Sequence, residues 1–214
     1  MRSPEELVKE IRTLYPTLSY DHRPFLTYKE RHEHIRLRDA TEDYRIKYAC
    51  FKYAVASVLK PSMMLEIGVR GGCSALAFLH ACPSTRYLGI DSDCDGVTED
   101  GLSYISTAEH WFEELGFKAT ILVGDSQRIH LFPSVDFIHI DACHSRECTR
   151  HDVLTAITSG IRWILVDDSN ADTVDQGVGD AVISPIALNL HVKRFDFPET
   201  QGGNTLLHLE KEEA

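Results

Sequence analysis

The sequence predicts a doubly wound α/β fold whose seven-stranded sheet is mostly parallel and closes on a C-terminal antiparallel hairpin. Three observations carry that prediction. Five short runs rich in branched residues, "MMLEI" (63–67), "RYLGID" (86–91), "KATILVGD" (118–125), "VDFIHID" (135–141) and "RWILVDD" (162–168), are separated by helical patterns, the rhythm of a parallel sheet covered on both faces. The first run ends in a turn bearing Gly68, Gly71 and Gly72, after which an apolar helical pattern begins. Beyond Asp168, "HVKRFDF" and "NTLLHLE" are separated only by "PETQGG", turn formers too few to hold a crossover helix, so these last two strands pair antiparallel.

Each element can be placed in order. The first residues, "MRSPEELVKEIRTLYP", mix acids and bases and lack the apolar core of a signal peptide, and no later stretch is long and apolar enough for a bilayer. The expectation is a cytoplasmic protein without a membrane partner. Tyr48, Phe51, Val55, Val58 and Leu59 recur at helical spacing and Pro61 stops that helix before the first strand. Leu102, Ile105, Trp111, Phe112 and Leu115 form a second stripe, with Gly116 where a left-handed C-terminal residue belongs; Val153, Leu154 and Ile157 precede Gly160 in the same way. The 214 residues suit one domain with a substantial core, divided into an N-terminal helical segment over 1–60, serving as substrate lid or oligomer contact, and a cofactor-binding unit over 61–214.

Composition excludes some classes. A formal charge of −11 repels a phosphate backbone, which favours a small-molecule partner over nucleic acid. Arg23, Lys29, Arg31, Arg36, Arg38, Arg45, Lys47 and Lys52 enrich one segment in bases, but Glu30, Glu33, Asp39, Glu42 and Asp43 interrupt them, and the segment reads as a solvated helical face. The six cysteines, without a CxxC pair, read as reduced thiols.

The candidate chemistry sits at the strand ends. In an open α/β sheet, ligands settle outside the carboxyl ends of the strands, where Gly68 and Gly72 let the main chain approach a nucleoside-bearing molecule. The turn reads E-x-G-x-x-x-G from Glu66 and does not meet the dinucleotide fingerprint. A strand carboxylate at Glu66 suits an ammonium group, Asp91 at the second strand end suits ribose hydroxyls, and Asp125 with Ser126 at the third suits an adenine amino group. Amino acid plus ribose plus adenine describes S-adenosylmethionine. From Met63 to about Val182 the chain resembles the class I S-adenosylmethionine-dependent methyltransferases, whose Rossmann-like sheet also carries the final hairpin.

The fourth and fifth runs end in Asp141 and in Asp167–Asp168, three carboxylates facing one crevice. Like charges so close call for a cation, and oxygen ligands suit Mg²⁺, or Mn²⁺. His144, three residues after Asp141, is placed to take a proton from a hydroxyl at that cation. These spacings resemble the metal-dependent natural-product O-methyltransferases of the macrocin and mycinamicin sugar type. By that resemblance Asp141, Asp167 and Asp168 bind the metal, and Asp141 and His144 are the catalytic pair of a D-x-x-H motif. Relatives carry D-G-D-H there; this chain has Cys143 in place of the second aspartate, which leaves His144 as the proton acceptor. "QGVGDAV" (176–182) looks like that family's G-V-x-x-A-V helix start. The implied activity is methyl transfer to a hydroxyl of a sugar diol or catechol-like molecule, by a protein able to form a homo-oligomer.

Other readings remain open at this level. An NAD-dependent oxidoreductase shares the sheet and Asp91, a non-catalytic S-adenosylmethionine-binding protein shares the glycines and Asp125, and an RNA methyltransferase would use the basic N-terminal segment. His139 reads as core packing, and a zinc site from His139, His144 and His151 is outweighed by the carboxylates. Phe25, Tyr28, Tyr104 and Trp111 read as packing residues.

Overall fold

The computed structural model describes residues 2–18, 42–94, 103–184, 187 and 190–210. Phe25, Tyr28, Leu102 and most of the base-rich segment lie outside them.

Helix α1 (Pro4–Leu14) opens with a capping box: Ser3 accepts from the Glu6 amide while the Glu6 carboxylate accepts from the Ser3 amide, and Pro4 fills the first turn, where its missing N–H costs nothing. A 3₁₀ turn, Tyr15–Thr17, follows. Helix α2 (Glu42–Leu59) carries the predicted stripe and ends at Lys60, whose φ of +49° breaks the helix just before Pro61. The remaining elements are β1 (Met63–Ile67), α3 (Cys73–Ala81), β2 (Arg86–Asp91), α4 (Tyr104–Glu114), β3 (Ala119–Val123), β4 (Phe137–Ile140), α5 (Arg146–Thr158), β5 (Trp163–Asp167), α6 (Asp172–Val182), β6 (Val192–Phe197) and β7 (Asn204–Leu209). Gly116 and Gly160 end α4 and α5 at φ of +70°, as their positions predict.

The seven strands run in the order β3-β2-β1-β4-β5-β7-β6. The first five pair parallel, and β7 pairs antiparallel with both β5 and β6. This is the predicted sheet, with two differences in the helices. Only a 3₁₀ turn, Ser126–Arg128, lies between β3 and β4, where a helical pattern was expected. "QGVGDAV" is the last part of α6 and not a helix start. Gly177 is there because α5 passes so close: a Cβ on it would stand 2.7 Å from the Arg146 carbonyl oxygen and 2.8 Å from the Thr149 Cβ.

Strand alternation divides the core. Leu65, Ile67, Ile138, Ile140, Ile164 and Val166 face α5 and α6 with Val153, Ile157, Val174 and Val178. Met64, Phe137, Leu165 and Leu206 face the other way and share a core with Val8 and Ile11 of α1, Phe51 and Val55 of α2, and Phe78 and Leu79 of α3. The N-terminal helices are therefore packed on the same core as the sheet. Glu66, His139 and Asp167 have the parity of this second face and are buried in it. Among the described residues, no helix is long and apolar enough to cross a membrane.

Candidate active site

The glycine turn after β1 is bare first of all because the chain itself comes so close. Gly68 has φ of +86°, and a Cβ there would stand 2.0 Å from the carbonyl oxygen of Asp141; Gly72, at φ of +75°, would touch Ala108 and Phe112 of α4 at 3.1 and 3.2 Å. The close approach at Gly68 brings the end of β4, and with it Asp141, against the end of β1. Asp91 then fastens the turn, since its carboxylate accepts from the Arg70 amide at 2.7 Å and the Asp93 amide at 2.8 Å. Arg70 takes a φ of +48° there, a left-handed conformation unusual for a residue with a side chain.

Glu66, expected to meet an ammonium group, points inward. Its fully buried carboxylate accepts from Ser74 at the start of α3 and from Tyr87, and lies 2.7 Å from the His139 Nδ1 atom. The register explains this. Glu66 pairs with Gly89 on one side and His139 on the other, and a Cβ on Gly89 would crowd the Tyr87 ring at 3.2 Å and its hydroxyl at 3.3 Å. Burial, with Glu66 beside it, pushes the Tyr87 phenol well above its ordinary value, so it remains a donor.

At the third strand end Asp125 is exposed and accepts from the Gln127 amide at 3.0 Å, and the Gly124 amide donates to the Asp91 carbonyl at 2.8 Å, which sets the two strand ends side by side. Ser126 is buried and donates to Asp152 of α5 at 3.2 Å, while the Gln127 side chain donates to the same carboxylate at 3.0 Å. Burial raises the Asp152 carboxyl to about 6.

The acidic cluster forms at the ends of β4 and β5. His144 Nε2 lies 3.5 Å from Asp141 Oδ1 and 3.4 Å from Asp168 Oδ2, and one ligand atom from each of the three falls within 4.8 Å of the others. The hydrogen-bonding contact to Asp141 raises the imidazole above its ordinary range against the effect of burial, and the charges of Asp168 and Asp141 add to it. Burial, then the charges of Asp167 and Asp141, lifts the Asp168 carboxyl to about 6. Asp168 sits at φ of +53°, and the β6–β7 turn closes over it so tightly that a Cβ on Gly202 would stand 2.1 Å from its Oδ1 atom.

Asp167 is buried where Asp141 and Asp168 are partly exposed, although one of its oxygens also lies within 4.8 Å of ligand atoms of His139 and Asp141. Only 2% exposed, it accepts from the Nζ atom of Lys52 at 2.7 Å, and its other oxygen accepts from the Asp168 amide at 3.0 Å. Although burial works against ionisation, Lys52 and His139 hold the Asp167 carboxyl well below the usual carboxylate range. His139 is likewise fully buried. Despite that burial, Asp167 and Glu66 raise its imidazole to about 9, and its Nε2 atom faces Asp167 at 3.8 Å, beyond hydrogen-bond length.

Sequence reasoning missed two members of this group. Lys52, grouped there with solvated bases, is fully buried beneath the cluster. Tyr48, assigned only to a helical stripe, donates to Asp141 Oδ2 at 3.0 Å and presents its ring face to Lys52 Nζ at 3.9 Å. A signal was available: Lys52 falls four residues after Tyr48 and three before Val55, on the apolar stripe of α2. Tyr104 is buried and Trp111 packs against the core, as expected, while His151 lies against the Ser126 and Ile129 carbonyls, away from His139 and His144 in its contacts.

Comparison with known proteins bears on the fold that carries this cluster. Residues 65–168 match the family model described as a methyltransferase domain, a span running from β1 to the end of β5 that holds every candidate site residue named above except Tyr48 and Lys52. No curated protein matches the chain by sequence. Among solved structures, the chain is similar to the Podospora anserina methyltransferase PaMTH1 bound to S-adenosylhomocysteine, at 15% identity and a TM-score of 0.67, covering 99% of this chain and 98% of that one. It is also similar to the O-methyltransferase TomG of Streptomyces achromogenes, which is involved in tomaymycin synthesis and was solved with S-adenosylmethionine, at 15% identity, a TM-score of 0.61, and coverage of 99% and 100%. A Bacillus cereus O-methyltransferase in complex with S-adenosylhomocysteine aligns at 14% identity, a TM-score of 0.53, and coverage of 98% and 93%. The sheet is thus a methyltransferase fold, and the family match, just under half of the chain, falls on its β1 to β5 part.

Proposed function

We propose that the protein is an S-adenosylmethionine-dependent O-methyltransferase that methylates a hydroxyl of a small molecule with the help of a divalent cation. The observation that carries this reading is the convergence of Asp141, His144 and Asp168 at the strand ends, with Asp141 pressed against the glycine turn. Three solved structures of the same fold, described as methyltransferases and holding the methyl donor or its product, support it.

The residues present fit both groups. Asp125 is exposed toward adenine, and Asp91 on the adjacent strand end is half-buried and holds the turn the ribose would meet, with Gly68, Gly72 and Ser126 shaping the turns around them and Glu66 holding the turn from below. Asp141 and Asp168 offer oxygens to a hard cation, and a positive charge there would relieve the crowding that lifts the Asp168 carboxyl to about 6. S-adenosylmethionine supplies, when bound, the methyl group as the carbon of a sulfonium. Mg²⁺ or Mn²⁺ supplies a Lewis acid that makes an adjacent hydroxyl more acidic.

The chain's own residues handle the proton. His144 Nε2 takes it from the acceptor hydroxyl, and Asp141 and Asp168, at 3.5 and 3.4 Å, stabilise the imidazolium that results. Tyr48 fixes the Asp141 carboxylate by its hydrogen bond. A metal site with open positions favours adjacent oxygens, so the acceptor is a vicinal diol of a sugar or a catechol-like ring; the comparison with TomG, involved in tomaymycin synthesis, points to natural-product chemistry. The net charge of −11 disfavours RNA as acceptor.

The test separates the two ligands. Calorimetry with S-adenosylhomocysteine and with Mn²⁺ in turn, beside transfer of labelled methyl to catechol and diol acceptors, should show Asp168→Asn losing metal-dependent turnover while cofactor affinity stays within about twofold, because the ligands rest on different strand ends. Methyl transfer indifferent to chelators, or loss of both affinities together, would overturn the reading.

A further inference from the structure

Three neighbouring carboxylates need positive charge nearby, and for the innermost of them the chain provides it. Lys52 Nζ reaches Asp167 Oδ2 at 2.7 Å and Asn204 Oδ1 at 3.2 Å, and the Tyr48 ring face at 3.9 Å takes its remaining side. These partners are fixed. The Asn204 amide is oriented by its own donation to Thr200 at 2.9 Å, Thr200 donates to the Phe197 carbonyl at 2.7 Å, and Asn204 pairs with Asp167 across β5 and β7. Lys52, Asp167 and Asn204 are all at most 2% exposed. A metal ion taking Asp167 would leave a buried ammonium without its counter-charge, a costly state in a medium of low dielectric.

We propose that Lys52 is a tethered counter-cation that keeps Asp167 out of the metal's ligand set, so that Asp141 and Asp168 alone among the three carboxylates hold the divalent ion. This rests on the metal reading given above. It reassigns the acidic pair at the end of β5: Asp168 faces the ion, and Asp167 anchors α2, and through it Tyr48 and Asp141, to the sheet. Lys52 is thus a positioning residue that also sets the charge and denticity of the site.

The prediction can be read without turnover. Lys52→Met takes from the buried Asp167 carboxylate its ammonium partner, leaving the Asp168 amide and the His139 ring at 3.8 Å, so without metal the variant should melt roughly 10 °C lower than the native chain. Freed to act as a third ligand, Asp167 should then tighten Mn²⁺ binding at least about tenfold, measured by titration with electron paramagnetic resonance detection. In the double variant Lys52→Met, Asp167→Asn the buried charges are removed together, and Mn²⁺ affinity should stay within about threefold of the native value if Asp167 is no ligand there. A double variant that binds Mn²⁺ more than about tenfold more weakly than the native chain would overturn the proposal, and so would a Lys52→Met protein that binds it no more tightly. A native chain that binds no Mn²⁺, beside a Lys52→Met variant that does, would refute the metal reading and leave Lys52 as the resident cation.

Discussion

His144 shows how much a single side chain takes from its neighbours. Its imidazole carries the proton more readily than a free histidine because Asp141 and Asp168 flank it. As the proton acceptor it must be neutral to act, so kcat/KM should fall as pH drops through its midpoint; in the metal-free protein that midpoint, read by NMR of the imidazole, should lie above the ordinary histidine value of about 6.5, and a cation on Asp141 and Asp168 should bring it down. The same shift contributes stability below about 6.5 that disappears as pH rises through the folded value. His144→Ala should slow turnover by about 10² to 10⁴, and a loss under about threefold in single-turnover measurements would remove it from that role. At this scale the sequence revealed Asp141, His144 and Asp168, because their relation to strand ends can be read from local spacing. It did not reveal the Lys52–Asp167 pair, whose members lie 115 residues apart and meet only when α2 packs on β5.

Helix α6 contrasts two glycines on one element. Gly177 faces α5 at a distance no side chain fits, whereas Gly179 has open space around its Cβ position. Gly177→Ala should cost about 1–3 kcal/mol by pushing the helices apart, while Gly179→Ala should gain roughly 0.5–1 kcal/mol from helix propensity. Urea denaturation of the two variants checks both signs at once, and equal effects would mean that the helices are not held at this spacing. The difference was invisible in "QGVGDAV", where the two residues look alike. The missing helix between β3 and β4 has the same kind of cause: α5 already contacts the Ser126–Arg128 turn through Asp152, so that crossover needs no helix of its own to cover it.

Across the whole molecule, the N-terminal helices are continuous with the core of the sheet. Tyr15 meets Phe51 at a ring distance of 5.5 Å and Phe51 meets Phe197 at 5.0 Å, while the Arg12 guanidinium donates to the Asp196 carbonyl at 2.8 Å and lies 5.0 Å from the Phe197 ring. Ile11, with no exposed surface, is part of the same cluster as Leu165 and Leu206. Ile11→Ala should therefore cost about 2–5 kcal/mol, and the chain should still melt in one transition. An early melting step assignable to α1 alone, with the sheet intact, would show that the N-terminal segment is an independent unit.

By itself the sequence determined the strands, most of the helices, the order of acids along the strand ends and the antiparallel close, because hydrophobic period, turn residues and loop length act over short spans of chain. Only the tertiary structure decided which acids share a site. Strand order placed Glu66 beside His139, alternation turned both of them and Asp167 toward α2, and the packing of α2 delivered Lys52 to Asp167. Those are contacts between residues distant along the chain, set by the register and face of the sheet, and local periodicity carries no record of them.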